Sequence, residues 1–233
     1  MSRSGYRKKQ DLFGALPQGA DEHRLLAELH TDVAIYYTFK IARYGATPQG
    51  VDWSCAESQD RRFRHLLLLC DFSAPRSLND VGCGYGAMLS YLDRFHGAAS
   101  VDYLGTDLSE SMVRRAEALW QDRPKVQFQM SRTIARVADY SIASGIFNVK
   151  LRQPVDAWEF YIAQTLKEMK THSRLGFAVN FVTAAAEAEL GPTELYCAPT
   201  DRWIGYCAHE LDSKVDLIKD DDLGEFTLLV RNS

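Results

Sequence analysis

The sequence predicts an α/β protein built on a doubly wound, mostly parallel sheet. Short apolar runs alternate with amphipathic helical segments from residue 77 onward, which is the pattern of parallel βαβ units. Three glycines crowd into residues 82–86 after the first apolar run, where such a sheet turns from strand to helix. Two final apolar runs are separated only by residues 221–224, too few for a parallel crossover, so they should pair as an antiparallel hairpin.

Two helices precede the first strand. Residues 21–44 carry apolar side chains at three- and four-residue steps, and Gly45 is placed to end this helix. Residues 45–53 contain the glycines and the proline of a loop, and residues 57–70 indicate a second helix.

The rest of the chain indicates seven strands and three long helices. The strands are predicted at residues 77–81, 101–107, 125–130, 139–147, 175–183, 214–220 and 225–232. The long helices are predicted at residues 87–95, 108–120 and 156–170, with Ser109 as a candidate N-cap of the middle one. Residues 191–211 indicate a loop followed by a helix.

Charge and cysteine content argue against several classes of partner. A net charge of -4 gives no electrostatic case for binding nucleic acid or a membrane surface. We find no apolar run long enough to span a bilayer and no apolar signal-peptide segment. The five cysteines form no CxxC pair, which favours a reduced, cytoplasmic protein and argues against a metal site. Nothing in the sequence predicts the oligomeric state.

The glycine-rich turn indicates a small-molecule ligand. Glycines permit a turn that side chains would block, and the next helix offers its positive N-terminal end. Residues 82–87, GCGYGA, fit a variant of the dinucleotide fingerprint. S-adenosylmethionine (SAM) is the alternative, and Asp80 favours it, because a carboxylate can accept a hydrogen bond from its ammonium group but would repel a pyrophosphate. Asp107, at the next strand end, could serve the ribose of either ligand.

Two segments of the chain resemble class I SAM-dependent methyltransferases. DVGCGYG is similar to their first motif, and LGTDLSESMVRRA to their ribose-binding strand and following helix. The resemblance covers about residues 75–233 and implies a Rossmann-like sheet of seven strands with SAM as the cofactor. YYTFKIARYGATPQGVDW, SQDRRF and ASGIFNVK resemble a group of small bacterial methyltransferase-like proteins whose N-terminal helices cover the SAM site. This implies a helical lid at residues 21–74 and a SAM-binding α/β domain at residues 75–233. The short basic start of the chain predicts a flexible N-terminus at residues 1–20.

The predicted cofactor site combines the resemblance with the predicted strand ends. The resemblance implies that the glycines line the methionine moiety, that Asp107 binds the ribose, and that Ser131 approaches the adenine, although the acidic residue often found there is missing. The end of the fourth strand should face the ligand, while Phe147 fits a plain core position equally well. The predicted contacts in the α/β domain are Asp80, Gly82, Gly84, Tyr85, Gly86, Asp107, Leu108, Met112, Ser131, Ser144, Gly145 and Phe147.

The lid is expected to complete this site. Its predicted cofactor contacts are Tyr36, Lys40, Trp53 and Arg62. Lys40 or Arg62 could pair with the SAM carboxylate, although Arg62 fits a surface cation and Tyr36 a packing residue equally well.

Three polar residues are the candidates for catalysis or substrate contact: Asn148, Tyr37 and Asn180. An amide at an apolar strand end needs hydrogen-bond partners, which substrate or SAM would supply. For Asn180, a core amide bonded to a neighbouring loop is the more favoured interpretation.

The predicted function is transfer of a methyl group from SAM to a small-molecule acceptor, in bacterial secondary metabolism. Such an enzyme has to align two reactants and exclude water, and it needs a base only if the acceptor must lose a proton. The alternative is a cyclase that converts SAM into azetidine-2-carboxylate and methylthioadenosine, since some relatives of this fold do so. A SAM-binding protein without activity and an NAD-dependent oxidoreductase are less favoured, because the motif is intact and Asp80 argues against a pyrophosphate.

Overall fold

The computed structural model describes residues 20–97, 99–183 and 195–232. The predicted flexible N-terminus, apart from residue 20, lies outside the described residues, and so does the start of the loop predicted at 191–211. In the part of the chain that is described, no helix has the length and apolar character needed to cross a bilayer.

A seven-stranded sheet forms the centre of the molecule, and it confirms the predicted fold class. Its strands are β1 (Arg76–Val81), β2 (Val101–Asp107), β3 (Val126–Met130), β4 (Ala138–Ala143), β5 (Ser173–Val182), β6 (Ser213–Asp220) and β7 (Glu225–Asn232). Their order in the sheet is β3-β2-β1-β4-β5-β7-β6. The first five strands are parallel, and β7 pairs antiparallel with both β5 and β6. The predicted hairpin therefore joins the sheet through its second strand.

The helices lie close to their predicted positions. They are α1 (Ala20–Tyr44), α2 (Ala56–Leu67), α3 (Ala87–Phe95), α4 (Glu110–Trp120), α5 (Val155–Thr171) and α6 (Thr200–Gly205), which continues into a π-helical turn at Tyr206–Glu210. A single 3-10 turn, Pro48–Val51, follows α1. Ser109 caps α4 as expected, because its hydroxyl accepts a hydrogen bond from the Met112 N–H at 3.3 Å.

Two apolar layers cover the sheet, because alternate residues of a strand point to opposite faces. Phe177, Val179 and Phe181 of β5 pack against α5, α6 and the N-terminal half of α1. Ala178, between them, belongs to the opposite layer, which contains α2 and α3. Within the predicted lid region, α2 therefore packs on one face of the sheet, and the N-terminal half of α1 packs on the other face.

The strand order reverses between β1 and β4, and this reversal positions the site. The chain passes from β1 outward to β2 and β3 and then returns to β4 on the other side of β1. The connections that follow β1 and β4 therefore diverge, which leaves a crevice at the carboxyl ends of the strands. β4 ends at Ala143, four residues earlier than predicted, so residues 144–147 leave the sheet, and residues 144–146 lie in the crevice wall.

Candidate active site

A cavity occupies this crevice beneath α1 and the segment that follows the 3-10 turn. Its floor is the carboxyl edge of β1 and β2, and its roof comes from the predicted lid. The predicted site residues among its lining are Tyr37, Trp53, Asp80, Gly82, Gly84, Tyr85, Asp107, Leu108, Met112, Ser131, Ser144 and Gly145. Most of the residues predicted from the sequence therefore meet in one place.

The turn after β1 needs glycine for two reasons. Gly82 and Gly84 have φ angles of 72° and 55°, in the left-handed region that side chains disfavour. A Cβ on Gly82 would lie 2.3 Å from Cγ2 of Ile146, and one on Gly84 would lie 2.9 Å from Cγ1 of Val51. Gly86 lies behind the turn, where a Cβ would meet the Trp120 ring, and it is not part of the cavity lining. In this structure Gly86 therefore has a packing role, and its contact with the ligand stays a prediction.

Asp107 connects two loops at the cavity floor. Its Oδ2 accepts a hydrogen bond from the Gly84 N–H at 2.9 Å, and its Oδ1 accepts one from the Ser109 N–H at 2.8 Å. Burial raises the pKa of this carboxyl to about 6, although the hydrogen bonds from backbone N–H groups lower it. Each oxygen keeps a second lone pair, so both can still accept from the hydroxyls of a ribose.

Asp80 places a second carboxylate on the floor. It is only 3% exposed, and its Oδ2 accepts a hydrogen bond from the Tyr103 hydroxyl at 2.5 Å. Burial raises the pKa of Asp80 to about 7, the Tyr103 hydrogen bond opposes this, and the charge of Asp107 adds to it. Among the described residues, no cation is one of the groups that shift this pKa, so a positively charged group of a ligand would stabilise the ionised form.

Two aromatic residues of the lid region form the roof. Tyr37 lines the cavity, and burial, followed by the charge of Asp52, raises the pKa of its phenol well above the usual value. Trp53 lies against Gly145, whose φ is 74° and where a Cβ would lie 2.3 Å from Cζ2 of the indole. Gly145 is therefore required for the close approach of Trp53 to the loop after β4.

The two cations expected to bind the SAM carboxylate are paired elsewhere. Lys40 forms an ion pair with Asp52, and Arg62 forms a buried one with Glu225. Neither cation belongs to the cavity lining, and neither does Tyr36, whose ring packs edge-on against Tyr37. In this structure the three residues support the roof, and their contacts with the cofactor stay predictions.

The residues after β4 and within β5 also differ from their predicted roles. Phe147 is fully buried and stacks on Phe181 with ring centroids 5.4 Å apart, so it is a core residue. Asn148 is buried outside the cavity lining, and its Oδ1 has no hydrogen-bond partner among the described residues. Asn180 accepts a hydrogen bond from the Gly145 N–H at 2.7 Å through its Oδ1. Asn180 therefore acts on the cavity wall from behind and does not line the cavity.

Several lining residues were not predicted as site residues. Tyr161, Thr165 and Glu168 of α5 line the cavity, and their spacing of four and three residues along one helical face was the available signal. His30 of α1 lines it too, and burial, followed by the charge of Arg132, lowers its pKa to about 4, so its imidazole is neutral at pH 7. No sequence pattern indicated that α1 and α5 would line the same cavity.

Comparison with known proteins decides the family. N-methyltransferase NodS from Bradyrhizobium japonicum, solved with S-adenosyl-L-homocysteine, has a TM-score of 0.62 at 12% identity, covering 86% of this chain and 98% of that chain. Human N-acetylserotonin methyltransferase, solved with SAM, has a TM-score of 0.61 at 15% identity, covering 91% of this chain and 65% of that one. At these identities the two structures show a shared fold.

The sequence comparisons go further. The model of a methyltransferase domain matches residues 79–174. A Mycobacterium tuberculosis protein named "Putative methyltransferase Rv1506c" is 40% identical over 159 residues, which are 68% of this chain and 95% of that protein. The chain belongs to the SAM-dependent methyltransferases. The fold class, the enzyme class and SAM as the cofactor of this methyltransferase are thereby confirmed.

The residues of the cavity fit SAM. Two carboxylates at the floor suit the ammonium group and the ribose hydroxyls, and the glycine turn admits a ligand close to the backbone. The Ser144 hydroxyl lines the cavity and has no hydrogen-bond partner among the described residues, so a bound ligand can satisfy it.

Proposed function

We propose that this methyltransferase acts on a small-molecule acceptor that binds beside SAM in the cavity beneath α1. The observation that carries the proposal is the contact of the roof with the glycine-rich turn after β1 and with Gly145 in the loop after β4. Val51 lies over Gly84 and Trp53 lies over Gly145, so the roof meets the turn after β1 and the wall after β4. A concave site with such a roof supports a small acceptor, because a folded macromolecule presents a broad surface.

Charge supports the same class of acceptor. The net charge of -4 and the two carboxylates of the cavity floor disfavour an anionic polymer such as RNA or DNA. We further propose that the acceptor belongs to bacterial secondary metabolism. The five free cysteines support a reducing, cytoplasmic setting for the reaction.

The proposed roles of the lining residues follow from their chemistry. Bound SAM supplies the methyl group as an electrophile. Asp80 would accept hydrogen bonds from the ammonium group, and Asp107 would accept them from the ribose hydroxyls. Ser131, Leu108 and Met112 would surround the adenine.

The roof would align the acceptor and exclude water. The phenol of Tyr37 stays protonated at neutral pH because burial raises its pKa, so it can donate a hydrogen bond to the acceptor. His30 is neutral at that pH and can accept one. Hydrogen bonds that hold SAM and the acceptor in the reactive orientation account for much of the rate enhancement that such a site can supply.

Mass spectrometry of the products tests this proposal. The protein is incubated with SAM alone and with SAM plus a protein-free metabolite extract, and a D107A variant serves as the control. S-adenosylhomocysteine that forms only with the extract and only with the wild type is the expected result. Methylthioadenosine from SAM alone would instead support the cyclase alternative and would overturn the proposed methyl transfer.

A further inference from the structure

A continuous chain of contacts connects the cavity roof to the cavity wall through Glu225, which is not part of the cavity lining. It begins at Trp53, which lines the cavity. The guanidinium of Arg62 lies 3.9 Å from the centroid of the Trp53 ring, on the face of the indole. At this distance a cation and an aromatic face attract each other, so Arg62 holds the indole in one orientation.

Glu225, at the start of β7, holds Arg62 in turn. The Nε of Arg62 donates to both carboxylate oxygens of Glu225, at 2.9 and 3.0 Å, and its Nη2 donates to Oε1 at 2.5 Å. Both side chains are buried, with Arg62 8% and Glu225 5% exposed. The planar fork of an arginine is matched to a carboxylate in this way, which fixes the guanidinium plane as well as its position.

The same carboxylate reaches the opposite wall of the cavity. The Nδ2 of Asn180 donates to Oε2 of Glu225 at 2.7 Å, and the Oδ1 of Asn180 accepts from the Gly145 N–H at 2.7 Å. Gly145 is the residue against which the Trp53 indole packs. One carboxylate therefore fixes both the roof residue and the wall residue that it touches.

We propose that Glu225 is a positioning residue for cofactor binding, which sets Trp53 through Arg62 and Gly145 through Asn180. The proposal rests on the proposed placement of SAM in this cavity. It assigns to Arg62 an indirect role, in which the guanidinium orients the indole and does not meet the cofactor carboxylate. A pre-positioned wall binds a ligand more tightly because less ordering has to occur on binding.

The chain contains a matched control for this proposal. Glu159 of α5 is also a buried glutamate, 7% exposed, and it pairs with Arg202 at 2.7 Å. It also accepts a hydrogen bond from the Tyr196 hydroxyl at 2.8 Å, so it resembles Glu225 in partners and burial. Glu159 is not part of the cavity lining. It also takes no part in the described contacts that link Trp53 to Gly145 through Glu225. A purely structural effect should therefore be shared by both glutamates.

The experiment measures binding of S-adenosylhomocysteine by calorimetry together with the melting temperature, for the wild type, E225Q and E159Q. Both variants are expected to melt at a lower temperature, because each replaces a buried carboxylate that forms an ion pair with an arginine. E225Q is expected to bind S-adenosylhomocysteine about tenfold more weakly, which is in the range for residues that act on a site through a network. E159Q is expected to bind it as tightly as the wild type.

R62K keeps the experiment decisive if E225Q does not fold. A lysine retains the charge opposite Glu225 but has no planar group to stack on Trp53. R62K should therefore bind S-adenosylhomocysteine more weakly and change the tryptophan emission, and the emission change should disappear in a W53F background. Equal affinity of R62K or E225Q and the wild type would overturn the role of Glu225. Failure of the wild type itself to bind would instead overturn the proposed cofactor site.

Discussion

Replacing Asp80 by asparagine should make the ligand-free protein more stable at alkaline pH and at the same time weaken cofactor binding. Burial raises the pKa of Asp80 from 3.8 to about 7. The folded protein therefore holds this proton more tightly than the unfolded chain does, and the stability that Asp80 contributes falls as the pH rises from 3.8 to about 7. Between pH 5 and pH 8 the loss amounts to about 3 kcal/mol, at about 1.4 kcal/mol for each pH unit below the folded pKa.

Asparagine has nearly the same shape, does not ionise, and can still accept from the Tyr103 hydroxyl. The stability of D80N relative to the wild type should therefore increase by about 3 kcal/mol from pH 5 to pH 8, or about 6–12 °C in melting temperature for a chain of this size. Thermal melts at the two pH values measure this difference. Binding of S-adenosylhomocysteine at pH 8 should fall at least about tenfold, because a charge-assisted hydrogen bond to its ammonium group is lost.

Asp139 supplies the control for this prediction. It lies outside the cavity lining, and although burial raises its pKa, hydrogen bonds from Ser77 and Arg174 outweigh this and lower the value. The stability that Asp139 contributes is lost only as the pH falls toward its lowered pKa. D139N should therefore differ from the wild type by the same amount at pH 5 and pH 8, with unchanged affinity. If D80N showed this pH-independent behaviour as well, the assignment of Asp80 as a buried carboxyl with a raised pKa would be refuted.

Two further predictions concern the cavity. The affinity of the wild type for S-adenosylhomocysteine should fall about tenfold from pH 8 to pH 6, because Asp80 takes up its proton in this range. A further loss is expected below the Asp107 pKa of about 6. Calorimetry that gave the same affinity at every pH would contradict this. G145A should displace the Trp53 indole and weaken binding at least about tenfold, since the added Cβ would lie 2.3 Å from that ring. Gly45 has a similar left-handed φ of 67°, but a Cβ added there would have no atom within 4 Å. G45A should therefore lose about 1 kcal/mol of stability without a change in affinity.

Much of the fold was accessible from the sequence because its signals are local. The alternation of apolar runs with helical segments, the N-cap at Ser109 and the short hairpin link each depend on neighbouring residues, and all agree with the structure. The end of β4 was misplaced because Ile146 and Phe147 continue its apolar pattern after Gly145 has turned the chain away from the sheet.

The floor of the candidate site was also accessible, because the strand-turn-helix pattern fixes which residues meet at the edge. Asp80 and Asp107 are examples, and both line the cavity. The partners of Lys40 and Arg62 were not accessible, because they depend on tertiary contacts. Glu225 lies 163 positions from Arg62 in the chain, and no local pattern connects the two.

The most direct test of the central claim is a crystal structure of the protein with S-adenosylhomocysteine. We expect the ribose hydroxyls within hydrogen-bond distance of the Asp107 carboxylate, the ammonium nitrogen beside Asp80, and the Trp53 indole still against Gly145. A ligand that occupied another part of the molecule, or that lay in this cavity without touching either carboxylate, would contradict the account.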